Sequence, residues 1–457
     1  MNMITTKNLL QTGVLALSLL ATSVMAAVSA DEAAKLGTTL TPLGAEKAGN
    51  ADGSIPEWTG GLPQNAGAVD AKGFVADPFP SETALFTITA QNVDQYKDKL
   101  TPGQLAMFKR YPTSYKIPVF PTHRTATVPA SIAAAAKANA TNTKLIQNGN
   151  GLENFSQAYP FPIPQNGVEA IWNQITRYRG GSVRRLVNQA TPQANGSYSM
   201  VSFVDEFTFR SALKDYDASK PSNVLFYFKQ RVTAPSRLAG GVLLVHETID
   251  QVKEPRLAWL YNAGQRRVRR APQVSYDGPG TASDGLRTSD NFDMYNGAPD
   301  RYEWKLEGKK EIYIPYNSYR LDSPKLKYDE IIKAGHINQD LTRYELHRVW
   351  HVVATLKPGE RHIYAKRDFY IDEDTWQAVE IDHYDGRGTL WRVAEAHSQY
   401  YYDKQVPWYA VETLYDLLSG RYLALGMKNE EKQAYDFNYT ASEADYTPAA
   451  LRQEGVR

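Results

Sequence analysis

The sequence predicts a mainly β chain with some helix, an α+β fold. The expected core is a strongly curved antiparallel sheet, an open half-barrel capped by helices, with an irregular N-terminal wrap. Three observations carry this. From residue 197 onward, strand-length segments follow one another with turn chemistry between them. One amphipathic helical pattern stands just before them. The first third of the chain is rich in Ala, Gly, Pro, Thr and Asn and has few regular patterns.

The first segment reads MNMITTKNLLQTGVLALSLLATSVMAAVSADE. Lys7 gives a positive start, residues 14–20 are apolar, and Val24 and Ala26 fit the small-residue positions of a signal-peptidase site. Cleavage is expected between Ala26 and Ala27. The apolar run is shorter than the roughly 20 residues needed to span a bilayer. With Lys7 gone and no acid removed, the formal charge falls from +1 to zero. Within 27–160, short helices are expected at 93–100, at 104–110 after the Thr101-Pro102 start, and at 131–140. Trp58, Phe86, Met107 and Phe108 look like packing anchors for this wrap.

Residues 168–178 form the amphipathic helix, with Val168, Ile171, Trp172 and Ile175 at helical spacing and Gly180-Gly181 ending it. Strands are expected at 197–209, 223–232, 241–248, 257–261 and 266–271. Asn262-Ala263-Gly264 marks a hairpin between the last two. The region 272–340 is less regular. A meander resumes at 344–356, 362–371, 376–384, 389–402 and 408–415, joined by turns such as Lys357-Pro358-Gly359 and Asp385-Gly386-Arg387-Gly388. Alternation along most strands implies one buried and one wetter face. The expected organisation is a signal peptide at 1–26, an extension at 27–160, the half-barrel at 161–445 and a C-terminal tail at 446–457.

Composition narrows the function classes. The chain has 457 residues, 51 Lys+Arg against 50 Asp+Glu, no Cys and 11% aromatics. Disorder is excluded by the aromatic content and balanced charge. Nucleic-acid binding usually needs a basic face, which a net charge of +1 does not announce. Without Cys there is no disulfide, thiolate metal site, cysteine nucleophile or lipid-modified Cys. No G-x-S-x-G, H-E-x-x-H or P-loop is present, so no catalytic residue is assigned. His347 and His351 share a strand face about 13 Å apart, too far for one ion. Asp372, Glu373 and Asp374 read as a turn rather than a Ca²⁺ loop. No metal and no cofactor are expected.

Two surfaces attract attention. Val224, Phe226 and Phe228 alternate along the strand 223–232 and form a continuous apolar face, expected to line an interior with Trp172 and Ile175. Arg266, Arg267, Arg269 and Arg270, with Arg184 and Arg185 as possible additions, make the most unusual charge feature. They read either as a sheet edge kept from aggregating or as a docking surface for an acidic partner or an anionic head group.

The stretches RLAWLYNAGQRRVRRAP, residues 256–272, and KRDFYIDEDTWQAVEIDHYDGRGTLWRV, residues 366–393, resemble the periplasmic Lol-type carriers of the outer-membrane lipoprotein-sorting family. The stretch RYELHRVWHVVATLKPGERHIYAKRDFYIDED, with PLGAEKAGNADGSIPEWTGG, is similar to a narrower family of uncharacterised Gram-negative exported proteins assigned to the same fold. The resemblance implies a Lol-type half-barrel with a concave apolar cavity that in the carriers holds acyl chains. It also implies partners: a lipid or acyl ligand, an inner-membrane resistance-nodulation-type exporter and an outer-membrane protein. The functional expectation is therefore a soluble, non-enzymatic periplasmic carrier or chaperone for a lipid or lipoprotein-like cargo. An assembly or adaptor factor for an envelope transporter is the alternative, and an envelope lipid or glycan hydrolase a third.

Overall fold

A computed structural model describes residues 28–271 and 276–454. The expected cleavage site at Ala26 and Ala27 lies outside the described residues. The N-terminal segment carries α1 (Ala30–Ala33), β1 (Phe86–Ile88), α2 (Pro102–Arg110), β2 (Ile117–Val119), α3 (Ala130–Asn142) and the small hairpin β3 (Lys144–Ile146) and β4 (Gly151–Glu153). The pattern at 93–100 forms two 3₁₀ turns instead of one helix. Helix α2 starts as its sequence asks: Thr101 accepts from the Gln104 amide, Gln104 reaches back to the Thr101 amide, and Pro102 takes the first turn.

The amphipathic helix α4 (Gly167–Thr176) is capped by Asn166, whose side chain accepts from the Glu169 amide. Thirteen strands follow: β5 (Ser182–Ala190), β6 (Met200–Phe209), β7 (Val224–Ala234), β8 (Val242–Thr248), β9 (Leu257–Asn262), β10 (Arg267–Arg270), β11 (Tyr302–Pro315), β12 (Tyr344–Leu356), β13 (Lys366–Asp372), β14 (Ala378–Tyr384), β15 (Leu390–Tyr401), β16 (Val406–Asp416) and β17 (Tyr422–Met427). Three of them were not expected. β5 hides its period behind Arg184 and Arg185, β11 carries a charge at nearly every second position, and β17 is short and contains Gly426.

All but β3 and β4 join one 15-stranded sheet in the order β1-β2-β12-β13-β14-β15-β16-β17-β5-β6-β7-β8-β9-β10, with β11 also on β12. Every pairing is antiparallel except the short β2–β12 contact at Val119 and Tyr344. Among the described residues β10 and β11 pair on one side only, so the sheet is open, as expected.

The concave side is filled by α4 and by the irregular segment 276–301. Ile171, Trp172 and Ile175 pack there with Phe207, Phe226, Phe369, Ile381 and Leu414, joined by Leu286, Met294 and Tyr295 from the segment. The opposite side is covered too, against the expected wetter face. Over β12–β17 lies the N-terminal segment, with Met107, Phe108 and Tyr115 against Tyr344, Val393 and Tyr415. Over β7–β9 lies the C-terminus, with Tyr446 and Leu451 against Tyr227, Leu244 and Tyr261.

Covering both faces accounts for the tyrosine run: Tyr401 belongs to the inner core, and Tyr400 and Tyr402 to the outer one. It also explains why polar outer positions such as Glu380, Asp382, Glu395 and His397 are buried. They meet α2: the Gly103 amide donates to Asp382 at 3.0 Å and Gln104 Nε2 to Glu380 at 2.8 Å. At Gly103 any side chain is excluded, because a Cβ would lie 2.0 Å from the Asp382 carboxylate.

Candidate ligand cavity

A cavity of about 260 Å³ opens between β7, β8, β9 and the segment 279–296. Its apolar wall is Phe226, Phe228, Leu243, Val245, Leu260 and Phe292. The period of two in β7 and β8 places Phe226, Phe228 and Gln230 on the same side as Leu243 and Val245. Leu260 stands opposite Leu243 and is 43% exposed, marking the rim. Phe228 and Phe292 meet at 4.6 Å between ring centres, which joins sheet and segment across one wall.

The segment is fastened to the sheet by side chains from several strands. Gln189 of β5 donates to the carbonyls of Thr281 and Ala282, Gln174 of α4 to that of Asp293, and Arg392 of β15 to that of Gly285. Pro279 and Thr288 form an isolated bridge, and the Gly280 amide donates to the Arg287 carbonyl at 2.9 Å. This turns Arg287 into the cavity wall. Gly280 leaves room for this side chain, since a Cβ on it would lie 2.7 Å from Arg287 Nε and push the guanidinium aside.

The polar part of the lining is Gln230, Arg256, Thr281, Arg287, Ser289 and Asn296. Glu247 binds Arg256 Nε at 2.8 Å and accepts from Asn296 at 2.9 Å. Gln230 is turned away toward Asp205, which also pairs with Arg185 at 2.8 Å. Behind the wall, Asp293 is shared by Arg177 and Arg179. Its carboxyl is held well below the usual range: burial alone would raise it, and the two guanidiniums outweigh burial. Glu412 is fully buried with neither oxygen hydrogen-bonded, and burial, with Asp293 nearby, pushes it up to about 8.

The site residues read from sequence divide. Phe226 and Phe228 line the cavity. Trp172 and Ile175 are fully buried in solid core below it, with Trp172 Nε1 donating to the Gly149 carbonyl at 2.8 Å. Val224 sits on the other side of the sheet, against the Tyr227 and Leu244 cluster. The cause is a register shift: Val224 pairs with Thr248 and Phe226 with Glu247, so one residue is inserted between them and the alternation slips. Leu243, Val245, Arg287 and Phe292 were not singled out from sequence. The first two follow from β8 once its register is known. Arg287 lies in a Gly- and Asp-rich stretch where no periodicity points to it.

Arg267, Arg269 and Arg270 stand exposed on the edge strand β10, with Arg266 exposed in the turn before it. Arg184 and Arg185 do not join them. They lie on β5, five strands away, where Arg185 is buried with Asp205 and Arg184 faces Glu206. His347 and His351 lie on strand β12, as read. One oxygen or nitrogen each of His347, Asp372 and Asp374 lies within 4.8 Å of the others, an arrangement with donors for a metal ion. Both Asp374 oxygens, however, already accept from Arg124, a charge any cation would have to displace. A second hollow, of about 450 Å³, between residues 69–73 and 432–438 is mostly polar.

An open, largely antiparallel sheet with a cavity of mixed lining beside the segment that covers it defines an α+β half-barrel. The chain belongs to the family described as a protein of unknown function, DUF1329, whose model matches residues 87–452. It is 86% identical over 453 residues to the uncharacterized protein PA3922 of Pseudomonas aeruginosa, covering 99% of this chain and 100% of that one. Among solved structures it is similar to a DUF1329 family protein from Desulfovibrio piger, at 12% identity and a TM-score of 0.40 over 59% of this chain and 91% of that one. It is also similar to the LolA superfamily protein NE2245 from Nitrosomonas europaea, at 12% identity and a TM-score of 0.35 over 59% and 92%. Among the described residues no helix is long and apolar enough to cross a membrane.

Proposed function

We propose that this protein is a periplasmic, non-enzymatic carrier or chaperone for a hydrophobic cargo, a lipid or lipoprotein-like molecule passing between inner and outer membrane in the service of an exporter. The observation that carries the reading is the apolar wall of Phe226, Phe228, Leu243, Val245 and Phe292 around a cavity of about 260 Å³. That is near the lower end of small-molecule pockets. It suits part of one acyl chain rather than a whole lipid. Each methylene moved from water into it contributes about 0.8 kcal/mol, so a chain is held without covalent chemistry. The signal-like first 26 residues support export.

The test is native mass spectrometry of protein purified from its own periplasm, paired with binding of a fluorescent acyl probe. Bound lipid and saturable probe binding are expected, and Leu243→Trp, which fills the cavity from β8, should abolish both while the melting temperature holds. Wild-type protein that carries no lipid and binds no probe overturns the reading. A second reading, an adaptor that docks an envelope transporter, is favoured by the four exposed arginines on and before β10. A stable protein partner recovered without lipid would select it.

A further inference from the structure

Two charged groups line the cavity, Arg256, which is paired with Glu247, and Arg287, which is not paired. Arg287 is 7% exposed. Among the described residues no carboxylate lies within ion-pair distance of its guanidinium, no side-chain or backbone acceptor is hydrogen-bonded to it, and its Nε is buried without a partner. A guanidinium presents five donors in a fixed fork, and burying it unpaired is expensive. Native proteins keep such a group where something completes it.

The two acids that act on Arg287, Glu412 and Asp205, do not complete it, and the other acids around the cavity are committed elsewhere. Asp205 is engaged by Arg185 and Gln230. Glu412 lies beyond ion-pair distance, and burial holds it toward its neutral form. Glu247 is committed to Arg256 and Asn296. Asp293 is already shared between two arginines, Arg177 and Arg179. The region behind the cavity thus carries an excess of positive charge, and Arg287 is where that excess reaches the cavity wall. Thr281, Ser289 and Asn296 add polar groups to the same cavity, beside its aromatic and aliphatic wall.

We infer that Arg287 is the anchor for an oxyanion head group, and that the cavity takes a single-chain anionic amphiphile with its chain against Phe226, Phe228 and Leu243. The inference rests on the carrier reading and narrows it to a charge class. Arg suits a carboxylate or phosphate head through paired hydrogen bonds, and a dry wall strengthens them. Gly280 then has a functional reason: it leaves room for the guanidinium to stand at the cavity.

The experiment uses the full mature chain and amphiphiles of one chain length below their micelle concentrations. Dodecanoate, dodecyl phosphate, dodecanol and dodecyltrimethylammonium compete with a fluorescent acyl probe. Wild type should bind the two anions at least about tenfold more tightly than dodecanol, and the cation most weakly. The order of dodecanoate and dodecyl phosphate tells a carboxylate head from a phosphate head. Arg287→Gln should bring the anions down to the dodecanol level and leave dodecanol within about threefold. Arg287→Lys should retain part of the preference. Gly280→Ala, which displaces the guanidinium without removing its charge, should weaken only the anions, and it decides the matter if Arg287→Gln does not fold. Equal binding of anions and dodecanol by wild type overturns the inference and spares the carrier reading. An anion preference undiminished in Arg287→Gln or Gly280→Ala also overturns it. If no amphiphile binds wild type, both fall.

Discussion

Arg124 grips both carboxylate oxygens of Asp374, with Nε at 2.9 Å and Nη2 at 2.7 Å, although 250 residues separate them. The same guanidinium donates to the carbonyls of Glu46 and Lys47. One buried side chain therefore ties two stretches of the N-terminal segment to the turn between β13 and β14. Arg348 and Lys309 hold the neighbouring Glu373.

Removing Arg124 should loosen the whole N-terminal cover. Arg124→Ala leaves Asp374 buried and uncompensated, which costs about 3–5 kcal/mol. A drop of several degrees in melting temperature is expected, with faster proteolysis inside residues 40–130. A stability change below about 1 kcal/mol would show that the clamp is replaced by water.

The buried acids under α2 set a pH dependence of unusual sign. Burial pushes Asp382 up to about 8 and Glu395 up to about 7, and it drives Glu380 upward as well, with Glu395 and Asp382 adding to the effect. In the unfolded chain such groups titrate near 4. Between pH 4 and 8 these acids therefore hold protons in the native state that the unfolded chain has lost, which lowers stability as pH rises; the buried His383 and His397, held low by burial, oppose this below about pH 6.5 and leave the fall unopposed above it. Glu412, pushed up to about 8, and Asp372, to about 7, act in the same direction as the acids under α2. Thermal unfolding at pH 5.5 and 8.5 should show the lower melting temperature at 8.5. Asp382→Asn, which stays neutral, should flatten the slope. A wild-type melting temperature that rises over this range contradicts the assignment.

Strand β10 shows what edge charge does. Arg267, Arg269 and Arg270 are exposed and form no ion pair among the described residues, so replacing all three by Ser should move the melting temperature little. Their service is at the free edge, where charge opposes strand addition by another chain. The triple variant should scatter more light at high concentration, and wild type should approach it as salt screens the charges. A large loss of stability would mean that these side chains pack against something inside the protein.

Much of this architecture is legible in sequence because runs rich in β-branched and aromatic residues between turn formers show a strand even where both faces are covered. β6, β7, β8 and the run from β12 to β16 are all visible in that way. The reading fails where charged residues break the run. β5 buries Arg185 inside an ion pair, and β11 alternates Glu303, Lys305 and Glu307 with half-buried positions. The cavity was half visible. Phe226 and Phe228 follow from alternation, while the segment that closes over them is irregular and owes its place to hydrogen bonds from Gln174, Gln189 and Arg392, which no local pattern announces. The outer cover was legible as a wrap anchored by Met107 and Phe108, but not its place, since a Thr-Pro helix start says where α2 begins and nothing of what it lies on.

The register slip in β7 gives a sharp final test. By simple alternation Val224 and Phe226 share a face, and a charge placed at either would cost the same. The extra residue between their pairings puts Phe226 in the concave core, 1% exposed and 4.7 Å from the Phe207 ring, and leaves Val224 half-buried on the opposite side. Phe226→Arg must bury an unpaired guanidinium in an aromatic cluster, with Phe209 a further neighbour at 6.0 Å. It should cost several kcal/mol and yield insoluble or unfolded protein. Val224→Arg can extend its head to water from the start of β7, beside the C-terminal cluster, and should cost about 1 kcal/mol or less. Soluble yield and urea midpoints of the two variants, made side by side, check this. Equal penalties would restore plain alternation and remove the slip; a stable, folded Phe226→Arg would mean that the cavity reaches deeper along β7 and admits water beside that ring.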